Sequence, residues 1–372
     1  MRRVRVFFVF LLVLTFFWSC RVQAEGLRRD PASLETMLGA MLMCGFRGAE
    51  LEPDDPFLEL VRQGHVGHVI LFDRDVQTGK SRNILSSAQV KKLTATLRQA
   101  KGSPMFIAID QEGGQVSRLK PRLGFLALPS ARQLGQGSPM GSRSWAQKSA
   151  AEMRRLGITL DFAPVADVAD ARTVIGRHER SFGPNAQNCA QHVMAFGQGL
   201  WDRGVIPTLK HFPGIGCATA DTHLQSADIA HCFDQKRDLL PFTLALRSGW
   251  PGMVMVGHVK SSLDPSLPAS LSPKVIMDVL RKRLGWHGVI ITDDLQMRAI
   301  SDSYSLEESI ELAVQAGADI LLFGNNLNWQ EDLPQRAYAA LQKLVADGRI
   351  SHERIAASYA RIQALLASQA KK

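Results

Sequence analysis

Eight short apolar runs, separated by stretches of helical periodicity, constrain this chain more than any other feature of its 372 residues. They occupy residues 40–44, 68–72, 105–110, 158–162, 205–210, 253–256, 288–292 and 319–323. Run 288–292 is almost continuously apolar rather than alternating, as a parallel strand buried on both faces is. The stretches between read as helices. Val90, Leu93 and Leu97 recur at i, i+3 and i+7 ahead of Gly102-Ser103-Pro104. Ser305 and Glu308 form a capping box before Leu306–Ala316, which Gly317 stops. Eight βα units in series predict an α/β fold with a parallel sheet, and eight is the number that closes a single (β/α)₈ TIM-type barrel. An open doubly wound sheet is the alternative. Residues 333–370 read as two helices around Gly348, an appendage of the barrel and not a second domain.

The first 24 residues stand apart. Arg2, Arg3 and Arg5 precede residues 6–18, a run of 13 that is apolar except for Thr15, and Val22-Gln23-Ala24 follows. This is the pattern of a cleaved secretory signal, and the run is shorter than the ~20 residues a transmembrane helix needs. The expectation is a signal peptide at 1–24, a single barrel domain at 25–372 and an exported, periplasmic protein with no membrane span after cleavage. An uncleaved anchor is one alternative. Another is lipidation of Cys20, for which Phe17-Trp18-Ser19 is a bulky approach. Without the four arginines of this segment, 40 basic residues face 35 acidic ones, and the net charge is +5 in place of +9. No basic run interleaves with aromatics, which argues against nucleic acid as a partner.

Cys44, Cys189, Cys217 and Cys232 remain, none at CxxC spacing, so no structural zinc site is expected. Export permits disulfides. A Cys217–Cys232 bridge would bracket Asp221 and His223 and could stabilise by roughly 3 kcal/mol. Four buried free thiols are the favoured expectation.

Charge gathers where the apolar runs end. Asp110 ends one, Lys210 and His211 another, Asp293 a third. In a (β/α)₈ barrel these C-terminal strand ends build the active site. In Asp110-Gln111-Glu112-Gly113-Gly114-Gln115-Val116-Ser117-Arg118, two glycines allow a sharp turn that can return Arg118 to the mouth beside Asp110. A carboxylate that accepts and a guanidinium that donates suit a sugar, though an ion pair at the rim has the same composition. Lys210-His211-Phe212-Pro213-Gly214-Ile215-Gly216 precedes Asp221-Thr222-His223, where a carboxylate near an imidazole would set its tautomer and stabilise its charged form. Lys210 on its own also fits a Schiff-base lyase. In Gly288–Met297, adjacent Asp293 and Asp294 point opposite ways if extended. One faces the mouth, where it can attack an anomeric carbon, and the other is structural. No His or carboxylate at convincing spacing completes a metal site, and no cofactor is implied.

Taken together, IAIDQEGGQVSRL, DFAPVADV, RSFG, KHFPG, the downstream DTH, LPASLSPKVI and GVIITDDLQM resemble family 3 glycoside hydrolases, specifically single-domain β-N-acetylglucosaminidases (β-hexosaminidases) of the NagZ type. The resemblance runs from about residue 35 to 365. It implies an exo-acting retaining enzyme that removes a non-reducing terminal N-acetylglucosamine. Asp293 is the implied nucleophile and His223 the acid/base, with Asp221 its partner. Asp110, Arg118, Arg180, Lys210 and His211 are the implied sugar-holding residues, which would recast Lys210 as a hydroxyl donor. Implied substrates are peptidoglycan turnover fragments, then chito-oligosaccharides; a monomer is expected. Ile215 stands where the family usually has His, Thr222 where it has Ser, and the segment before Arg180 is slightly longer. A non-catalytic envelope glycan-binding barrel, with Ile215 a mark of decay, is the alternative from a different functional class.

Overall fold

The computed structural model describes residues 32–219 and 227–372. The signal-like segment, Cys20, Asp221 and His223 therefore lie outside the described residues. All eight apolar runs form strands: β1 (Leu42–Gly45), β2 (His68–Ile70), β3 (Ile107–Ile109), β4 (Leu160–Asp161), β5 (Ile206–Phe212), β6 (Met253–Val256), β7 (Ile290–Thr292) and β8 (Leu321–Phe323). They follow one another round a single sheet in chain order, each parallel to its neighbours. The sheet closes on itself. β8 pairs with β1 through Leu42 and Leu321, and a parallel bridge between Ile291 and Ile320 joins β7 to β8. The fold is the (β/α)₈ barrel, and the doubly wound alternative is excluded.

Helices cover the barrel where periodicity placed them. Ser87–Lys101 buries Val90, Leu93 and Leu97 and ends at Gly102, whose φ of 63° suits a residue without a side chain. The capping box of Ser305 and Glu308 is formed, and Gly317 caps the other end of Leu306–Ala316 at φ 113°. Lys274–Arg283 is wound more loosely, with π-type bonds such as Leu284 N to Val279 O at 2.9 Å. The tail forms two helices, Leu333–Ala346 and His352–Gln369, on either side of Gly348.

Several strands are shorter than the apolar runs, for a recurring reason: buried polar side chains take over ladder hydrogen bonds. Thr159 Oγ1 accepts from Ile107 N at 2.8 Å and Asp161 Oδ1 from Gln111 N at 2.9 Å, which trims β4 and the end of β3. At the seam, Thr292 Oγ1 accepts from Leu322 N at 3.1 Å and Asp319 Oδ2 from Ile290 N at 3.0 Å. The run at 40–44 begins late because the preceding helix, N-capped by Ser33, carries through Ala40.

The C-terminal helix straps the N-terminal end of the barrel. Ser358 Oγ and Arg361 Nη1 donate to the buried Asp319 Oδ1 at 2.7 and 2.9 Å, and Arg281 pairs with its other oxygen at 2.7 Å. Gln369 Nε2 donates to the main-chain oxygens of Thr159 and Gly204, at 2.6 and 3.0 Å, beneath β4 and β5.

The expectation of four free thiols is corrected. Cys217 and Cys232 are bridged, with Cα atoms 6.0 Å apart; Cys44 and Cys189 are free and buried. Their burial pushes both remaining thiols well above the ordinary cysteine range. No helix among the described residues is long and apolar enough to cross a membrane.

Candidate active site

Asp110 directly follows β3, Lys210 and His211 lie in the C-terminal half of β5, and Asp293 directly follows β7. Three strand ends thus converge on one cavity of about 480 Å³, with Ile70, Phe72, Phe162, Met255 and Leu322 as its apolar lining. The Gly113-Gly114 turn works as the sequence required. Both residues have positive φ, 98° and 56°, and a Cβ on Gly113 would fall 2.1 Å from Pro129 O. The hairpin Gln111–Gly113 with Val116–Ser117 then returns Arg118 to Asp110, 3.3 Å away, while Gln111 Oε1 accepts from Arg118 N and Leu119 N.

Charges alternate along this wall. Lys210 Nζ lies 2.9 Å from Asp110 and 2.7 Å from Glu112, and Arg180 grips Glu112 through Nε and Nη2, both at 2.8 Å. Arg180 Nη2 also reaches His211 Nε2 at 3.3 Å, and His211 Nδ1 donates to Asp167 Oδ2 at 2.7 Å. A guanidinium only donates and a carboxylate only accepts, so these contacts assign the imidazole proton to Nδ1. The peptide bond between Lys210 and His211 is cis, and both side chains line the cavity.

Burial opposes every charge in this wall, and the neighbours overcome it. Arg180 and Lys210 hold the buried Glu112 well below the usual carboxylate range; Lys210 and Arg118 lower Asp110. Asp110 and Glu112 in turn raise Lys210 above the ordinary lysine range. Lys210 is therefore held as an ammonium, the opposite of what a Schiff-base nucleophile needs, and the lyase alternative is set aside. Asp161, beneath this layer, moves the other way: burial pushes it well up, and its Oδ2 has no hydrogen-bond partner among the described residues.

Both TDD carboxylates line the cavity, where the strand argument placed only one of them. Asp294 Oδ1 is taken by Gln296 N at 3.0 Å and Gly324 N at 3.1 Å, which ties the ends of β7 and β8 together. Asp293 Oδ1 accepts from Asp294 N at 2.9 Å, and the residue lines the same cavity as the charged wall. His258 Nε2 donates to Asp294 O at 2.9 Å and so supports the same turn. The cavity brings together Asp110, Arg118, Arg180, Lys210, His211 and Asp293; Asp221 and His223 lie outside the described residues.

Ile215 does not loosen its loop. Its side chain is buried, and its main-chain N–H donates to Asp167 Oδ1 at 2.8 Å, so the carboxylate that orients His211 also anchors the loop. Three carboxylates escaped the sequence reading. Glu112 stands two residues beyond Asp110, the spacing that returns a side chain to the same face of extended backbone. Asp167 was visible only as an acid following the apolar run 162–166. Asp73, 3.8 Å from Arg118 and 3.9 Å from Lys120, had no motif to mark it. Among the described residues no group of three or more His, Cys, Asp or Glu side chains could hold a metal ion.

The profile described as Glycosyl hydrolase family 3 N terminal domain matches residues 33–365, almost the whole described chain. The chain belongs to glycosyl hydrolase family 3. It is thus a glycoside hydrolase on a barrel. A Beta-hexosaminidase of Nitrosomonas eutropha is 35% identical over 278 residues, covering 72% of this chain and 76% of that protein. Among solved structures, a family 3 β-N-acetylglucosaminidase from Paenibacillus sp. str. FPU-7 superposes with a TM-score of 0.83 at 36% identity. That match covers 91% of this family 3 chain and only 63% of the Paenibacillus one. A Beta-N-acetylhexosaminidase from Beutenbergia cavernae superposes at 0.78 and 30% identity, covering 91% and 99%.

Proposed function

We propose that this family 3 hydrolase is an exo-acting, retaining β-N-acetylglucosaminidase, exported to the periplasm. One observation carries the reading: Asp293 lines the same partly apolar cavity as the Asp110–Lys210–Glu112–Arg180 network. A pyranose needs such a container. Its hydroxyl edge pairs with alternating donors and acceptors, its C–H faces with apolar side chains, and its anomeric carbon with a carboxylate. The names of the relatives supply the N-acetylglucosamine. Peptidoglycan turnover fragments are the first candidate substrates and chito-oligosaccharides the second.

In this reading Asp110, Arg118, Lys210 and His211 bind the terminal sugar and Arg180 orients Glu112 and His211. Protonated His223, with Asp221 as its partner, gives its proton to the glycosidic oxygen as Asp293 attacks C1. The C1–O bond breaks, the aglycone leaves as an alcohol, and an ester to Asp293 forms. Neutral His223 then takes a proton from water, the hydroxide attacks C1, and Asp293 leaves as a carboxylate.

The test is hydrolysis of p-nitrophenyl N-acetyl-β-glucosaminide beside p-nitrophenyl β-glucoside by the chain lacking residues 1–24. Turnover of the first alone is expected. Asp293→Asn is expected to lower it by roughly a thousandfold or more, about 4 kcal/mol of barrier. Turnover of neither substrate, with retained N-acetylglucosamine binding, overturns the proposal in favour of a glycan-binding barrel.

A further inference from the structure

A second cavity, of about 600 Å³, opens at the same end of the barrel. It is built from the end of β1, the helix Pro56–Arg62 and the segment leading into the helix Leu333–Ala346. Leu327 lines the first cavity and Trp329 the second, so at most about 7 Å of chain separates the two. Trp329 and Phe57, both half-buried, form the aromatic lining, and Phe57 stacks on Phe46 with ring centres 4.7 Å apart.

Trp329 is fixed by its own loop. Asn325 Nδ2 donates to Gln330 O and Gln330 N donates to Asn325 Oδ1, both at 2.9 Å, which closes residues 325–330 around the indole. Asn325 has a φ of 48°, a conformation that asparagine adopts more readily than most residues. Gln296, three residues beyond Asp293, accepts from Asn325 N at 2.6 Å and donates to Asn328 O at 2.8 Å. The Arg47 guanidinium lies 4.5 Å from the indole centre and is itself held by Asp75 at 2.7 Å. An aromatic side chain fixed in this way has little freedom left to lose on binding. The polar lining then selects among ligands. Asp75 neutralises Arg47, whereas three carboxylates of the lining have little to balance them. Asp55 caps a helix through Oδ1, Glu331 has no ion pair among the described residues, and Asp332 has only a 3.5 Å contact with Arg336. Carboxylates accept from hydroxyls and amides, while aromatic rings cover C–H faces. A neutral, hydroxyl-rich ligand fits this lining and an acidic one is repelled.

We propose that this cavity is a second saccharide site, separate from the catalytic one, which binds a neutral oligosaccharide of β-linked N-acetylglucosamine. The choice of sugar rests on the glycosidase reading given above. The site takes no part in the reaction. It keeps a glycan beside the catalytic cavity and so raises its local concentration there.

The experiment titrates chitotetraose calorimetrically into Asp293→Asn, alone and combined with Trp329→Ala or with Glu331→Ala/Asp332→Ala. The expected stoichiometry is two per chain, falling to one with Trp329→Ala. Glu331→Ala/Asp332→Ala removes only exposed side chains. It should weaken one of the two sites by at least about threefold and leave the melting temperature unchanged. In the otherwise wild-type chain, Trp329→Ala should keep kcat and KM for p-nitrophenyl N-acetyl-β-glucosaminide within about twofold. One chitotetraose per chain in Asp293→Asn, or two that survive both sets of substitutions, overturns the proposal. Loss of turnover together with the second site in Trp329→Ala, with Glu331→Ala/Asp332→Ala without effect, overturns it in favour of a packing role for the indole. No hydrolysis by the wild type, with Trp329-dependent binding retained, overturns the glycosidase reading and supports this one.

Discussion

Lys210 shows how this site holds charge in a place that disfavours charge. It is almost completely buried between Asp110 and Glu112, and Arg180 completes the balance on Glu112. Removing one member of such a group strands the others, which costs more than the pair contributes, typically 3–5 kcal/mol. Glu112→Gln should therefore lower the thermal midpoint markedly at neutral pH and weaken sugar binding through Lys210 and Arg180. The pH dependence follows from the lowered Glu112 carboxyl. Its contribution is fully present above the unfolded value of about 4.3 and is lost as pH falls through the lower folded value. Melting curves of wild type and variant should therefore lie furthest apart above about pH 5 and converge in acid. A constant gap down to pH 2 would show that folding does not lower the Glu112 carboxyl. At this scale the sequence was legible where a polar residue ended an apolar run, as at Asp110, Lys210 and Asp293. It was opaque where a carboxylate served another side chain: Glu112 and Asp167 earn their positions through Arg180 and His211, partners that only folding supplies.

Each element was legible in kind but not in length. Apolar runs and capping residues announce strands and helices, because both reflect local burial and local hydrogen bonding. Strand length also depends on which side chain intrudes on the ladder, as Thr159, Asp161, Thr292 and Asp319 do. Asp319 carries the most. Fully buried before β8, it binds Arg281, Ser358, Arg361 and the main chain of β7. Asp319→Ala should cost about 3–5 kcal/mol of stability by urea unfolding, because Arg281 is left buried without its carboxylate. It lies at the end of the barrel away from the cavity, so kcat per folded molecule should be unchanged at 25 °C. A variant as stable as wild type would mean the seam is held by the β7–β8 ladder alone.

At the scale of the whole molecule the alternation of strands and helices foretold the barrel, since eight such units have few other ways to cover both faces of a sheet. Closure itself was not visible, because it depends on contacts between residues hundreds apart. A chain ending at Gly317 keeps seven strands and the charged residues of the cavity from Asp110 to Asp293, though it loses Leu322 from the lining. It nevertheless leaves β1 and β7 as open edges and removes the strap over the N-terminal end. That truncation should show no cooperative melting and no near-ultraviolet circular dichroism; a cooperative transition would show that the last strand is dispensable. The same pairing imposes an order in time. Leu42 cannot complete its hydrogen bonding until Leu321 exists, so almost the whole polypeptide leaves the ribosome before the sheet can shut. During that interval the nascent chain remains an open ribbon, with its unpaired edges exposed to strand exchange with a neighbour.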